Sequence, residues 1–263
     1  MLKKFNSKFY QNPIEVDDIE WEIIVTITTE IWEKVIYSWY DTINKETNSE
    51  YINKSLLWSF INKIPKKVLI LWFWGWTYIK FLEDHIENIE IFWVDIDEEM
   101  LKISKEIMWV KTNNLFIEDA LEFVEKLFLE NNNNFNSILI DCYWWDSRIP
   151  QNLITKEFFY KCSQILSENW NISINMANFE QEESLYKKMH KNIISQLNKK
   201  DYSVLLANKN DYSNIVWIYN LDKKYSSKNF TQNFIKQVNR WNIKNNFKIL
   251  ENVFSDEKDL LEN

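Results

Sequence analysis

The sequence predicts an α/β fold, a mostly parallel sheet with helices on both faces, preceded by a small N-terminal β-hairpin module. Three observations predict it. From Lys66 onward, short apolar runs of strand length alternate with stretches whose apolar residues recur at helical spacing. Between Glu20 and Trp39, two β-rich runs flank a short polar connection. The chain's 263 residues, 46% hydrophobic and 27% charged, suffice for one sizeable core or one domain plus a small appendage, which excludes a disordered tail protein.

The elements follow in order. Ile23 to Thr28 and Lys34 to Ser38 make the hairpin of the first module, residues 1–48. Residues 49–263 form the main domain. Ser49 can cap a helix with Leu56, Leu57, Phe60 and Ile61 on one face, closed by Pro65. Val68 to Leu71 reads as a strand, Thr77 to Glu83 as a helix and Ile91 to Asp95 as a strand. Asp97 can cap a helix whose Met100, Leu101, Ile103 and Ile107 share a face, and Leu115 to Ile117 is a short strand. The helix Ala120 to Leu129 leads through the loop Asn131 to Asn134 to the strand Ser137 to Asp141. Thr155 to Leu166 is helical, Asn171 to Met176 a strand and Glu182 to Leu197 a helix; Tyr202 to Ala207 and Asn214 to Tyr219 are closing strands.

Composition narrows the function. The longest apolar stretch, Val68 to Trp76, is far shorter than the roughly 20 residues of a membrane span, and Met1 to Asn12 carries lysines without an apolar segment behind them. A soluble, cytoplasmic protein without a membrane partner is expected. The two cysteines, Cys142 and Cys162, cannot build a disulfide framework or a four-thiolate zinc site and read as ordinary buried residues. His85 and His190 lack ligand spacing and read as solvated helix residues, so no metal is expected. A net charge of −8, with Arg148 and Arg240 the only arginines, argues against nucleic acid and suits a small cationic substrate.

Glycine is the anomaly. Proteins average about 7%, yet this chain has one glycine, Gly75, and 14 tryptophans. Trp39, Trp76, Trp109, Trp144, Trp145 and Trp170 fall between predicted elements or at their ends, where turn and cap glycines belong. Some bacterial lineages decode UGA as glycine, and translation of UGA as tryptophan would print this pattern. On that reading most of the tryptophans stand for glycine. The alternative is a truly tryptophan-rich protein whose indoles bind sugars or a partner.

The strand ends carry the chemistry. Val68 to Thr77 reads VLILWFWGWT; with glycine at Trp72, Trp74 and Trp76 it becomes VLILGFGGGT, an apolar strand opening through a glycine loop into a helix. Such a loop lets the backbone approach a nucleotide above a helix N-terminus, because glycine reaches φ > 0 freely. Kept as indoles, three residues forced to φ > 0 would each cost about 1–2 kcal/mol. Asp95 ends the next strand, Asp119 follows the one after, and Asp141 ends the fourth. Each acid alone fits a cap or turn, the favoured reading for Asp97, but three at successive strand ends point to a ligand site.

From Ser49 to about Ala177 the sequence resembles the spermidine synthase, or polyamine aminopropyltransferase, family, nearest its spermidine synthase-like branch. That family is built on the Rossmann-like class I S-adenosylmethionine-dependent methyltransferase fold. The segments VLILWFWGWTYIKFL, IFWVDIDEEMLKISKE, FIEDALEFV and ILIDCYWWDSRIPQNLITKEFFYKCSQILSENWNISINM carry the resemblance. It implies that Trp72, Trp74, Gly75 and Trp76 lie beneath the nucleoside, Asp95 accepts from the ribose hydroxyls and Asp119 meets the adenine amino group. Asp141 then orients and deprotonates the attacking amine, with Tyr51 and Asp146 on the substrate side. The implied donor is decarboxylated S-adenosylmethionine or S-adenosylmethionine, the acceptor a small amine, and the N-terminal module a homodimer contact. Three positions depart from the family pattern. A loop Asp is replaced by Trp74, a second Asp three residues after the catalytic one by Trp144, and a Tyr-His pair by Tyr51 and Ile52. A methyltransferase using another acceptor, or a non-catalytic module keeping the fold, stand as alternatives.

Overall fold

The computed structural model describes residues 2–10, 12–28, 34–47, 52, 55–56, 65–72, 76–143, 149–177, 179–196, 202–208, 211–221 and 254–255. Two sheets organise them. In the first, β1 (Leu2–Phe5), β2 (Ile14–Ile19), β3 (Glu22–Thr28) and β4 (Lys34–Asp41) pair antiparallel in chain order. The expected hairpin is therefore half of a four-stranded sheet. Alternation explains its hold: Ile14 pairs with Ile27 and Val16 with Val25, and all four side chains are buried. Because β4 runs on to Asp41, Trp39 lies inside a strand opposite Ile24, not at an element end as expected.

The second sheet holds β5 (Lys67–Trp72), β6 (Glu90–Asp95), β7 (Leu115–Ile117), β8 (Phe135–Asp141), β9 (Leu166–Ala177), β10 (Tyr202–Asn208), β11 (Asp211–Leu221) and β12 (Phe254–Ser255). Their spatial order is β12-β10-β11-β9-β8-β5-β6-β7. From β9 to β7 the pairing is parallel, and the last three strands join antiparallel. Trp170 falls inside β9, which begins earlier than the expected strand, so it too leaves the set of element ends.

Helices α1 (Trp76–His85), α2 (Glu98–Glu106), α3 (Ala120–Leu129), α4 (Lys156–Ile165) and α5 (Phe179–Ile194) connect the strands. Their starts follow the sequence's own signals. Asp97 accepts from the Glu99 amide, Asp119 from Leu121 and Glu122, and Thr155 from Phe158, each an N-cap worth about 1 kcal/mol. Ile52, Ser55 and Leu56 are helical and buried; the rest of the helix expected before Pro65 lies outside the described residues.

Strand β5 divides the core. Val68 and Ile70 face a cluster with Ile79 and Leu82 of α1, Met100 and Ile103 of α2, and the apolar face of the N-terminal sheet. Leu69 and Leu71 face the other, with Phe123 of α3, Phe158 of α4 and Met189 of α5. Polar bonds tie the first sheet to α1: the Tyr40 hydroxyl donates to Asp84 Oδ2 at 2.9 Å, His85 Nε2 meets the Lys45 carbonyl at 2.8 Å, and the Ser38 and Thr77 hydroxyls bond each other. Neither histidine is a solvated helix residue. His85 is half-buried, its pKa pushed down by burial, and His190 is only 4% exposed.

Candidate active site

The chain passes from β5 to β6 and β7 on one side, then crosses back to β8 on the other, so a crevice opens at the strands' carboxyl ends beside β5. The three predicted acids lie on that edge. Asp95 is the last residue of β6, Asp141 the last of β8, and Asp119 comes two residues after β7. In the β5–β8 register Asp141 stands opposite Trp72.

Asp95 is 3% exposed. Its Oδ1 accepts from the Asp97 amide at 2.9 Å, while Oδ2 has no partner. Burial pushes its pKa well up, against the pull of that backbone amide. Asp141 is 5% exposed and similar: Oδ1 accepts from Asn175 Nδ2 at 3.0 Å, Oδ2 has no partner, and burial again drives the pKa well up. An unsatisfied buried polar atom costs about 1–3 kcal/mol. Two at the carboxyl edge of the sheet, on β6 and β8, fit a ligand that brings its own donors.

Above them lies a partly open cleft. Asp95 and Asp119 line it with Cys142, Tyr143, Asn152 and Leu153. Asp141 is not in the lining and sits one residue below Cys142. Asp119 has two duties, since its Oδ1 accepts from the amides of Leu121 at 2.8 Å and Glu122 at 3.2 Å and so caps α3 from the cleft wall. Cys162 is fully buried as expected, but Cys142 borders the cleft, donating from Sγ to the Leu71 carbonyl at 3.2 Å, and burial holds its thiol neutral.

The glycine-loop residues separate. Trp72 closes β5 and Trp76 opens α1, and neither has positive φ, so the expected left-handed strain is absent at both. The Trp76 indole is fully buried, with Nε1 unpartnered. Trp74, Gly75, Tyr51, Asp146, Trp144 and Trp145 lie outside the described residues. Among the described residues no group of three or more His, Cys, Asp or Glu could hold a metal ion, and no helix is long and apolar enough to cross a membrane.

Sequence reasoning missed Asn175 and Tyr143. The signal for Asn175 was an amide in the apolar run of β9, because a buried amide needs a polar partner. Tyr143 gave no such signal. Its hydroxyl donates to the Asn175 carbonyl and accepts from the Ala177 amide at 3.0 Å, fastening the segment after β8 to the end of β9.

The sequence profile of the spermine/spermidine synthase domain matches residues 59–233. The chain belongs to this family. Solved structures share its architecture at low identity. A probable spermidine synthase from Corynebacterium glutamicum superposes with TM-score 0.73 at 14% identity, over 100% of this chain and 93% of that one. Human methyltransferase-like protein 13 in complex with SAH gives 0.64 at 16%, over 77% and 98%. A spermidine synthase in complex with the transition-state analogue AdoDATO gives 0.58 at 16%, over 94% and 86%. No curated protein matches the chain in sequence. The family fixes the class of the protein as a transferase on a class I methyltransferase-like fold, with a small-molecule amine as substrate.

Proposed function

We propose that the protein is a spermidine synthase-like aminopropyltransferase, with residues 1–48 as its N-terminal module and 49–263 as its nucleoside-binding catalytic part. The observation that carries the reading is the pair of buried carboxylates, Asp95 and Asp141, each with one bonded and one unpartnered oxygen at the carboxyl edge of the sheet in a chain of this family. Asp95 would hold the ribose through its open Oδ2, and Asp119 the adenine amino group from the cleft wall. Trp72 to Trp76 would underlie the nucleoside, while Tyr51 and Asp146 would contact the amine. The N-terminal sheet would join two copies in a cytoplasmic homodimer.

Decarboxylated S-adenosylmethionine supplies a sulfonium whose propyl carbon accepts a nucleophile as the carbon–sulfur bond breaks and 5′-methylthioadenosine leaves. The chain's share is binding, alignment and proton transfer. Asp141 orients the amine and takes the proton that the new carbon–nitrogen bond makes acidic. Burial makes it the stronger base once ionised, and a cationic amine entering beside it favours the ionised form.

Intact S-adenosylmethionine with methyl transfer is the second reading, favoured by Trp74 and Trp144 where aminopropyltransferases carry acids. Product analysis separates the two. Incubation with decarboxylated S-adenosylmethionine and putrescine is expected to release 5′-methylthioadenosine; S-adenosylhomocysteine from the intact donor, with no turnover of the decarboxylated one, would assign methyl transfer.

A further inference from the structure

Asn175 belongs to no predicted site, yet its side chain is the one that touches the Asp141 carboxylate among the described residues. The placement is a consequence of sheet register. Parallel pairing sets Ile140 beside Ile174, and the next step sets the last residue of β8 beside Asn175, which is 3% exposed. Its backbone is held as well: Asn175 faces Val216 of β11, and its carbonyl accepts from the Tyr143 hydroxyl. Tyr186 of α5 closes the arrangement by donating to the Ala177 carbonyl at 2.6 Å. An amide nitrogen donates and cannot accept. The bond from Nδ2 therefore commits Asp141 Oδ1 as an acceptor and leaves Oδ2 as the oxygen free to take a proton.

We propose that Asn175 is a positioning residue for proton transfer: it fixes the plane of the Asp141 carboxylate, reserves Oδ2 for the amine's proton, and keeps the buried carboxylate ionisable. The proposal rests on the reading of Asp141 as the base. Among the described residues, Cys142 and Tyr143 follow Asp141 and both feel its charge, while Asp95 and Asp119 act on Cys142 and Tyr186 acts on Tyr143. Burial keeps the Cys142 thiol and the Tyr143 phenol neutral, so neither adds a negative charge beside the carboxylate. The Asn175 bond is the influence that lowers the Asp141 pKa against burial.

The test uses the full-length chain with 13C-labelled aspartate carboxyls, the Asp141 signal being assigned from Asp141→Asn. In Asn175→Leu, Asp141 is expected to titrate at higher pH than in the parent chain. The acid limb of kcat for methylthioadenosine release is expected to move the same way, with the rate near neutrality falling on the order of 10-fold and the donor KM nearly unchanged. Should Asn175→Leu fail to fold, Asn175→Asp preserves the volume and places a second carboxyl against the first, and is expected to move the titration further upward. An Asp141 midpoint unchanged in a folded variant would overturn the proposal. Absence of methylthioadenosine release by the parent chain would instead overturn the aminopropyl reading, while the titration still decides what Asn175 does.

Discussion

Trp109 has a φ of 49° and is 60% exposed, directly after the amides of Ile107 and Met108 have closed α2 on the Ile103 carbonyl. A left-handed residue just past a helix end is usually glycine, and a side chain there costs about 1–2 kcal/mol. Trp21 shares only the exposure, 59% in a two-residue turn between Ile19 and Glu22 in which Glu20, and not Trp21, has the positive φ. The geometry at Trp109 supports glycine in the working protein; Trp93, fully buried in β6, fills the core instead. Trp109→Gly is expected to raise stability by about 1 kcal/mol in urea unfolding, since little burial is lost. Equal or lower stability would contradict the glycine geometry at 109. The places of Asp95, Asp119 and Asp141 at the sheet's carboxyl edge were legible because each closes or follows a β-rich run. The link from Asn175 to Asp141 was not, because it joins residues 34 positions apart through a register that one sequence does not display.

Among elements, most of the parallel sheet and its helices were legible, and Leu115–Ile117 and Ala120–Leu129 coincide with expectation, whereas Leu166–Ala177 and Phe179–Ile194 start before the expected Asn171 and Glu182. Strands β1 and β2 were not. Their sequences, LKKF and IEVDDI, are rich in residues that strands disfavour, and three of the four β1 side chains are exposed. Pairing with β3 brings β2 into the sheet, and β1 follows it; tertiary contact overrides local preference. The same sheet bears on the site through α1. Tyr40 is fully buried, with its pKa raised by burial and by Asp84, and its hydroxyl shares that carboxylate with Lys80. Tyr40→Phe is expected to cost about 1.5–3 kcal/mol, the range for a hydrogen bond to a charged group, read from denaturant unfolding. A loss below about 0.5 kcal/mol, the usual scatter of neutral substitutions, would show that the Asp84 link does not hold the sheet to the helix.

Across the whole molecule, the buried Asp95 and Asp141 carboxylates oppose stability at neutral pH. Burial raises the pKa of both Asp95 and Asp141 above that of an unfolded aspartate, about 3.9. Between the unfolded and folded values the native chain binds more protons than the unfolded one, so stability falls as pH rises through that window. Asp141→Asn is therefore expected to raise Tm at pH 7, with the gain shrinking as pH approaches about 4. An equal Tm change at both pH values would remove the burial argument. A buried acid that weakens the fold at working pH yet stands at the carboxyl edge of the sheet is what a site requires and a core does not.

The most direct measurement of function is methylthioadenosine release from decarboxylated S-adenosylmethionine and putrescine, by the parent chain and by Asp141→Asn, beside the affinity of each for 5′-methylthioadenosine. Amide and carboxylate are nearly isosteric, but only the carboxylate takes the amine's proton. The expected result is a fall in kcat of about 10²- to 10⁴-fold with nucleoside affinity nearly unchanged. Release undiminished in Asp141→Asn would contradict it.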